Sequence, residues 1–229
     1  MANKSDDQIR NEVLSQIGWD TRIKQTEVGV VVKKGVVTLM GTVDSYAKKI
    51  AAQQAAHRVS GVLDVANDLE VKLPGSRRHT DLEIAQAVRH AIEWNVLVPS
   101  ERIHTTVTNG WVTLEGNVEH YSERFAAERA VRDLAGVSGV TNEIKVKSLV
   151  DPGRVKCLIE DVLELRADRE ADRIKVKVEK GEVTLTGIVT SWSEKKAILG
   201  AVGHMPGVTA IDDHLIIDPY GIEFLAARG

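Results

Sequence analysis

The sequence repeats itself three times, and a chain with that property builds copies of one small unit rather than a single continuous core. The clearest mark is Gly35-Val36-Val37-Thr38-Leu39-Met40-Gly41. It returns as Gly110-Trp111-Val112-Thr113-Leu114-Glu115-Gly116 and as Gly181-Glu182-Val183-Thr184-Leu185-Thr186-Gly187. Each copy is a glycine turn, a strand with apolar residues two apart, and a second glycine where a Cβ would crowd a neighbour. No phosphate-binding loop or nucleophile elbow has this shape, so its first meaning is structural.

Around this mark every copy has the same element order. An amphipathic helix comes first, with Ile9, Val13, Ile17; Ile84, Val88, Ile92; and Val155, Ile159, Leu163 at i, i+4, i+8, a single buried stripe. Asp7, Asp81 and Asp151 near the helix starts are expected to satisfy free amides and complement the helix dipole. Next comes a strand alternating at Val28, Val30, Val32; Ile103, Thr105, Val107; and Ile174, Val176, Val178. The glycine turn reverses it into a second strand with one buried face, which makes a β-hairpin.

A second helix starts at Tyr46, Tyr121 and Trp192, with Ser45 and Ser191 as N-caps. It is expected to stop at Gly61, Gly136 and Gly207 through a left-handed C-cap. Alanines 51, 55, 126, 130, 197 and 201 would lie close on the sheet, and Gly200, Gly203 and Pro206 should weaken the third copy's helix. A last strand runs through Val65–Val71, Val140–Val146 and Ile211–Ile217. It places Asn67, Asn142 and Asp213 on the apolar parity, where a short polar side chain satisfies nearby backbone groups.

Linkers fall at Pro74-Gly75-Ser76-Arg77-Arg78 and Asp151-Pro152-Gly153, where Pro and Gly interrupt both periodicities. Three domains follow, over 1–75, 76–150 and 151–229, the last carrying an apolar tail from Pro219 to Leu225. The fold class is α+β: three tandem small αββαβ sandwiches.

Charge excludes one large class of function. The net charge is -3, and no copy carries the basic excess that binding along a phosphate backbone needs, so nucleic acid is not an expected partner. No apolar run reaches the roughly 20 residues that span a bilayer. The N-terminal segment is polar and lacks an apolar export core. A lone Cys157 rules out an internal disulfide and agrees with a reducing compartment. The expectation is a cytoplasmic protein, or a periplasmic one if a leader has been removed.

The motif set, with Gly-Val-x-x-Val-x-Asn-x-Leu/Ile-x-Val closing the first two copies and Ile211, Asp213 and Ile217 at its Val, Asn and last Val positions in the third, resembles three tandem BON domains, the module named for bacterial osmotic-stress and nodulation proteins. The resemblance covers nearly the whole chain. It implies two helices on one face of a three-stranded mixed sheet, and a non-enzymatic module that binds phospholipid or envelope surfaces. Its repeat marks here are Gly35, Gly41, Gly61, Asn67, Gly110, Gly116, Gly136, Asn142, Gly181, Gly187, Gly207 and Asp213.

Candidate contacts follow from side-chain type. His57, His79, His90, His104, His120, His204 and His214 show no metal-ligand spacing, so neither metal nor cofactor is expected. Tyr46, Lys48, Lys49, Tyr121, Arg124, Trp192, Lys195 and Lys196 put aromatic and basic groups together at the starts of the second helices, suited to an anionic lipid surface. Val31, Val36, Met40 and Trp111 point away from the helices by strand parity and are expected to contact a partner, packing against another repeat, another subunit or a different protein, with a lipid surface as the alternative. Trp19 and Trp94 follow the first helices and are expected in the core or at its rim, with lipid headgroups as the alternative. Asp212 and Asp213 could supply oxygen ligands to a cation, which leaves a small-ligand or cation sensor as a third reading.

Overall fold

The computed structural model describes residues 4–75, 79–147, 159 and 174–219. Expectations about Cys157, most of the third copy's first helix, the Asp151-Pro152-Gly153 linker and the tail from Tyr220 lie outside these residues. The chain divides into two compact units. One comprises Met1–Asn95, Thr105–Leu114 and Glu128–Thr141, the other Val96–His104, Glu115–Ala127 and Asn142–Gly229.

The first copy consists of α1 (Asp6–Trp19), β1 (Val28–Lys33), β2 (Val36–Val43), α2 (Tyr46–His57) and β3 (Asp64–Val71). The second contains α3 (Asp81–Glu93), β4 (Ile103–Thr108), β5 (Trp111–Val118), α4 (Tyr121–Val131) and β6 (Gly139–Val146). The third supplies β7 (Ile174–Glu179), β8 (Glu182–Val189), α5 (Trp192–Gly203) and β9 (Ala210–Ile217). Each copy forms its own three-stranded sheet, with the hairpin's second strand in the centre. In the first and third sheets that strand pairs antiparallel with its predecessor and parallel with its successor. The second helix is the crossover that a parallel pairing requires. The three sheets are therefore mixed, and the fold is α+β.

Turn chemistry explains the hairpins. Lys34 and Gly35 have φ of 53° and 77°, Asn109 and Gly110 53° and 76°, Lys180 and Gly181 51° and 88°. Two successive left-handed residues form a type I′ turn, whose twist matches that of the flanking strands. The second glycine of the mark answers a different need. At Gly41 and Gly116 the backbone passes so close to the carbonyls of Glu27 and Arg102 that a Cβ would land on the oxygen.

Helix starts correct the expected capping. Ser5 and Thr80 are the N-caps, each in a capping box with Gln8 or Glu83. The acidic residue that follows the cap instead reaches the hairpin turn. Asp6 accepts from Lys34 N at 2.8 Å and Gly35 N at 2.9 Å, and Asp81 accepts from Asn109 N at 2.8 Å and Gly110 N at 2.9 Å. These carboxylates hold each left-handed turn against the start of the copy's first helix. Asp7, one position further on, is not the counterpart of Asp81.

The Gly35 amide, followed by the Lys34 amide, holds the Asp6 carboxyl below the usual carboxylate range. A depressed folded-state value gives stability that is complete above the unfolded-state value of about 4 and is lost as pH falls through the lower folded-state value. Asp6→Asn is expected to make the fall in melting temperature below about pH 4 shallower. An acid limb superimposable on that of the wild type would contradict this.

Second helices also differ from expectation in register. The corresponding buried positions are Ala52, Ala127 and Ile198, then Ala56, Val131 and Val202, while Ala197 is exposed. Only α2, with Ala51 and Ala55 buried as well, uses the broader alanine face. Gly61, Gly136 and Gly207 are left-handed, with φ of 96°, 86° and 98°, but they serve the turn into the last strand. The helices have already ended, α2 and α5 at caps Arg58 and His204, both right-handed. Despite Gly200 and Gly203, α5 runs unbroken from Trp192 to Gly203, anchored by Ile198 and Val202.

The first copy buries Ile9, Val13 and Ile17 of α1 together with Val28, Val30, Val37, Leu39 and Val43 of the hairpin. Ile159 joins Val183, Leu185, Val189, Ile198 and Val202 in the third copy's core. Among the described residues no polar or charged side chain is buried.

Candidate surface-binding sites

At the starts of the second helices, basic side chains are tied to the copy they belong to. Lys49, Arg124 and Lys195 occupy the same position in α2, α4 and α5. Lys49 Nζ donates to Leu69 O at 2.8 Å, Arg124 Nη2 to Asn142 O at 3.0 Å, and Lys195 Nζ to Leu215 O at 2.8 Å. In return Asn67 Nδ2 donates to Lys49 O and Asn142 Nδ2 to Arg124 O, both at 3.0 Å. The result is a two-way tie between the second helix and the last strand. In the third copy Asp213 replaces the asparagine and pairs with Lys195 Nζ at 2.9 Å.

Lys48 pairs with Asp44 at 2.8 Å and lies 3.6 Å from Glu27. Lys196 is exposed. Neighbouring aromatics are half-buried. Burial pushes the Tyr46 hydroxyl above its ordinary pKa, Glu128 adds to that push and Arg132 opposes it. Tyr121 packs against the third copy's core and lies on Gly203, where a Cβ would come within 2.9 Å of Tyr121 Cδ1. Trp192 packs against the same core, with Lys195 Nζ 5.3 Å from its ring centroid.

On the first sheet's outer face, Val31, Val36 and Met40 are exposed. Val31 pairs with Thr38, which puts Val36 and Met40 on its two diagonals and joins the three into one patch. Trp111 also faces outward, but it is partly accounted for within its own sheet. Its Nε1 donates to Thr141 Oγ1 at 2.8 Å, and its ring covers Gly139, where a Cβ would collide with it.

The ends of the first helices overturn the expectation of core or rim. Trp19 is 74% exposed and Trp94 86%. The reason is helical geometry: each stands two residues past the last buried position, Ile17 or Ile92, and so about 200° around the helix from the stripe. That offset is visible in the sequence and could have placed both rings outside. Beyond Trp94 the chain continues with Val96, 97% exposed, and Leu97, 67% exposed.

Groups suited to a cation are matched internally. Asp212 contacts His214 Nε2 at 2.9 Å, and Asp213 accepts from Leu215 N at 3.0 Å besides meeting Lys195. No cluster of three or more His, Cys, Asp or Glu side chains with metal-binding geometry occurs among the described residues. Among them, too, no helix is long and apolar enough to cross a membrane.

Three mixed sheets, each with its own hairpin, crossover helix and exposed apolar side chains, define a tandem array of small α+β modules. The chain belongs to the BON domain family, whose pattern matches it at residues 5–72, 80–148 and 158–219. It is 30% identical over 146 residues to Osmotically-inducible protein Y of Escherichia coli (strain K12), an alignment covering 62% of this chain and 73% of that protein. Among solved structures, CdsD, a structural protein of the type III secretion system of Chlamydia trachomatis, aligns over 96% of this chain and 97% of that one. The identity there is 15% and the TM-score 0.25. The PrgH periplasmic domain aligns over 84% of this chain and 95% of that one, with 11% identity and a TM-score of 0.23. Scores this low do not establish a shared three-dimensional arrangement.

Proposed function

We propose that this chain is a non-enzymatic, stress-related binding protein that meets a phospholipid surface through the tryptophan-bearing ends of α1 and α3. The observation that carries the reading is the pair Trp19 and Trp94, corresponding residues 74% and 86% exposed. An indole keeps an apolar body and a polar N–H, the combination favoured at the level of lipid headgroups.

The contact moves away from the second helices, because Lys49, Arg124 and Lys195 have partners in their own copies. Binding then rests more on apolar insertion than on charge, and salt weakens it less than it weakens a polybasic contact. The chain is expected to sediment with both anionic and neutral phospholipid vesicles and to remain mostly bound in moderate salt. Recovery in the supernatant with both vesicle types would sink the proposal.

A second reading is carried by the Val31, Val36 and Met40 patch, which suits a protein partner or another copy of the chain. Met40→Lys separates the two, since it leaves vesicle recovery unchanged if the tryptophan ends make the lipid contact.

A further inference from the structure

Within the second unit a cavity of about 350 Å³ opens beside α5, lined by Tyr121, Phe125, Leu199, Gly200, Gly203 and Ile211. Its volume lies at the small end of ligand sites. Two glycines shape it. A Cβ at Gly203 would meet Tyr121, so this glycine is needed for packing. A Cβ at Gly200 would meet nothing within 4 Å. Packing does not call for glycine there, and mid-helix glycine is less stable than alanine. The corresponding residues of the other copies are Gln54 and Arg129, so the space is particular to this helix.

The polar groups at the cavity's edge are unevenly charged. Lys196 is exposed and has no ion pair among the described residues. His204 bonds Gly200 O through Nδ1 at 2.6 Å, which leaves Nε2 for another partner. Ser122 adds a hydroxyl. Asp213 is the lining carboxylate, and its oxygens already meet Lys195 Nζ at 2.9 Å and Leu215 N at 3.0 Å. An apolar floor with an uncommitted cation at its edge complements a ligand that is apolar at one end and anionic at the other.

We propose that this cavity binds a free single-chain anionic amphiphile, with the chain against Leu199, Gly200 and Ile211 and the acid group beside Lys196. The site shares no residue with the tryptophan-bearing ends and does not depend on their binding lipid.

The test is calorimetric titration of the full chain with decanoate and with decanol, both below their aggregation limits, alongside sedimentation with phosphatidylglycerol vesicles. One decanoate should bind per chain, and decanol should bind more weakly. Lys196→Glu should weaken decanoate about fivefold, as expected for reversing a partly exposed charge. Gly200→Leu, which fills the space, should abolish binding while the circular dichroism spectrum stays that of the wild type. If Gly200→Leu misfolds, Lys196→Glu decides alone, and an unchanged affinity overturns the site. No decanoate binding to the wild type, equal binding of decanol, or full binding by folded Gly200→Leu also overturns it. Sedimentation with vesicles without decanoate binding overturns this inference and leaves the lipid-surface function standing. Decanoate binding without sedimentation does the reverse.

Discussion

Gly116→Val is expected to destabilise the protein by about 3–5 kcal/mol, the largest stability effect of any single substitution considered. At this position φ is 143°, and a Cβ would fall on the carbonyl oxygen of Arg102, a backbone atom that no rotamer change can remove. Backbone strain contributes about 1–3 kcal/mol and overpacking about 1–3 kcal/mol. For a domain of this size each kcal/mol lowers the melting temperature by about 4–8 °C. Gly41→Val should behave alike in the first copy, where φ is 130° and the obstructing atom is Glu27 O. Gly75→Ala is the control, since nothing lies within 4 Å of the added methyl. Urea unfolding of the three variants decides the matter. A Gly116→Val protein within about 1 kcal/mol of Gly75→Ala would show that the close approach is not built into the fold.

Trp19→Ser/Trp94→Ser should lower the vesicle partition coefficient by about thirty- to several-hundredfold while leaving the melting temperature nearly unchanged. Each ring is mostly exposed in the free protein, so its removal takes little from the folded core. On a membrane the same ring withdraws apolar area from water, about 1–2 kcal/mol at roughly 25 cal/mol per Å² for a partly inserted indole. Since 1.4 kcal/mol is tenfold in affinity, two rings account for the expected range. The single variants should each lose part of the effect, and a loss confined to one would assign the contact to one copy. A double variant that sediments like the wild type would transfer the contact to other side chains.

Much of the fold is legible because its marks are local. The glycine turns at Gly35, Gly110 and Gly181 mark the hairpins, and the period-two alternation around them identifies the buried face; the type I′ geometry shared by Lys34, Asn109 and Lys180 comes from the structure. The outward positions of Val31, Val36, Met40 and Trp111 follow from the same parity. What eluded local reading depends on contacts made at a distance. Asp6 reads as a helix-start residue, yet its partners are Lys34 and Gly35, on the far side of α1 and β1. Lys49 and Lys195 read as surface cations, and only the folded register brings the carbonyls of Leu69 and Leu215 within 2.8 Å of them. An alanine run shifts by one residue without changing composition, which is why Ala52, Ala127 and Ile198 had to come from the structure. The tryptophans were misplaced for another reason: residue type suggests burial, whereas their spacing from Ile17 and Ile92 excludes it.

The most direct test is tryptophan emission with vesicles whose acyl chains carry bromine, in a protein with Trp111→Phe and Trp192→Phe so that only Trp19 and Trp94 emit. If these rings enter the lipid surface, emission shifts to the blue and is quenched by bromine near the headgroups. Emission that is unshifted and unquenched at vesicle concentrations where the chain sediments would contradict insertion by these two residues.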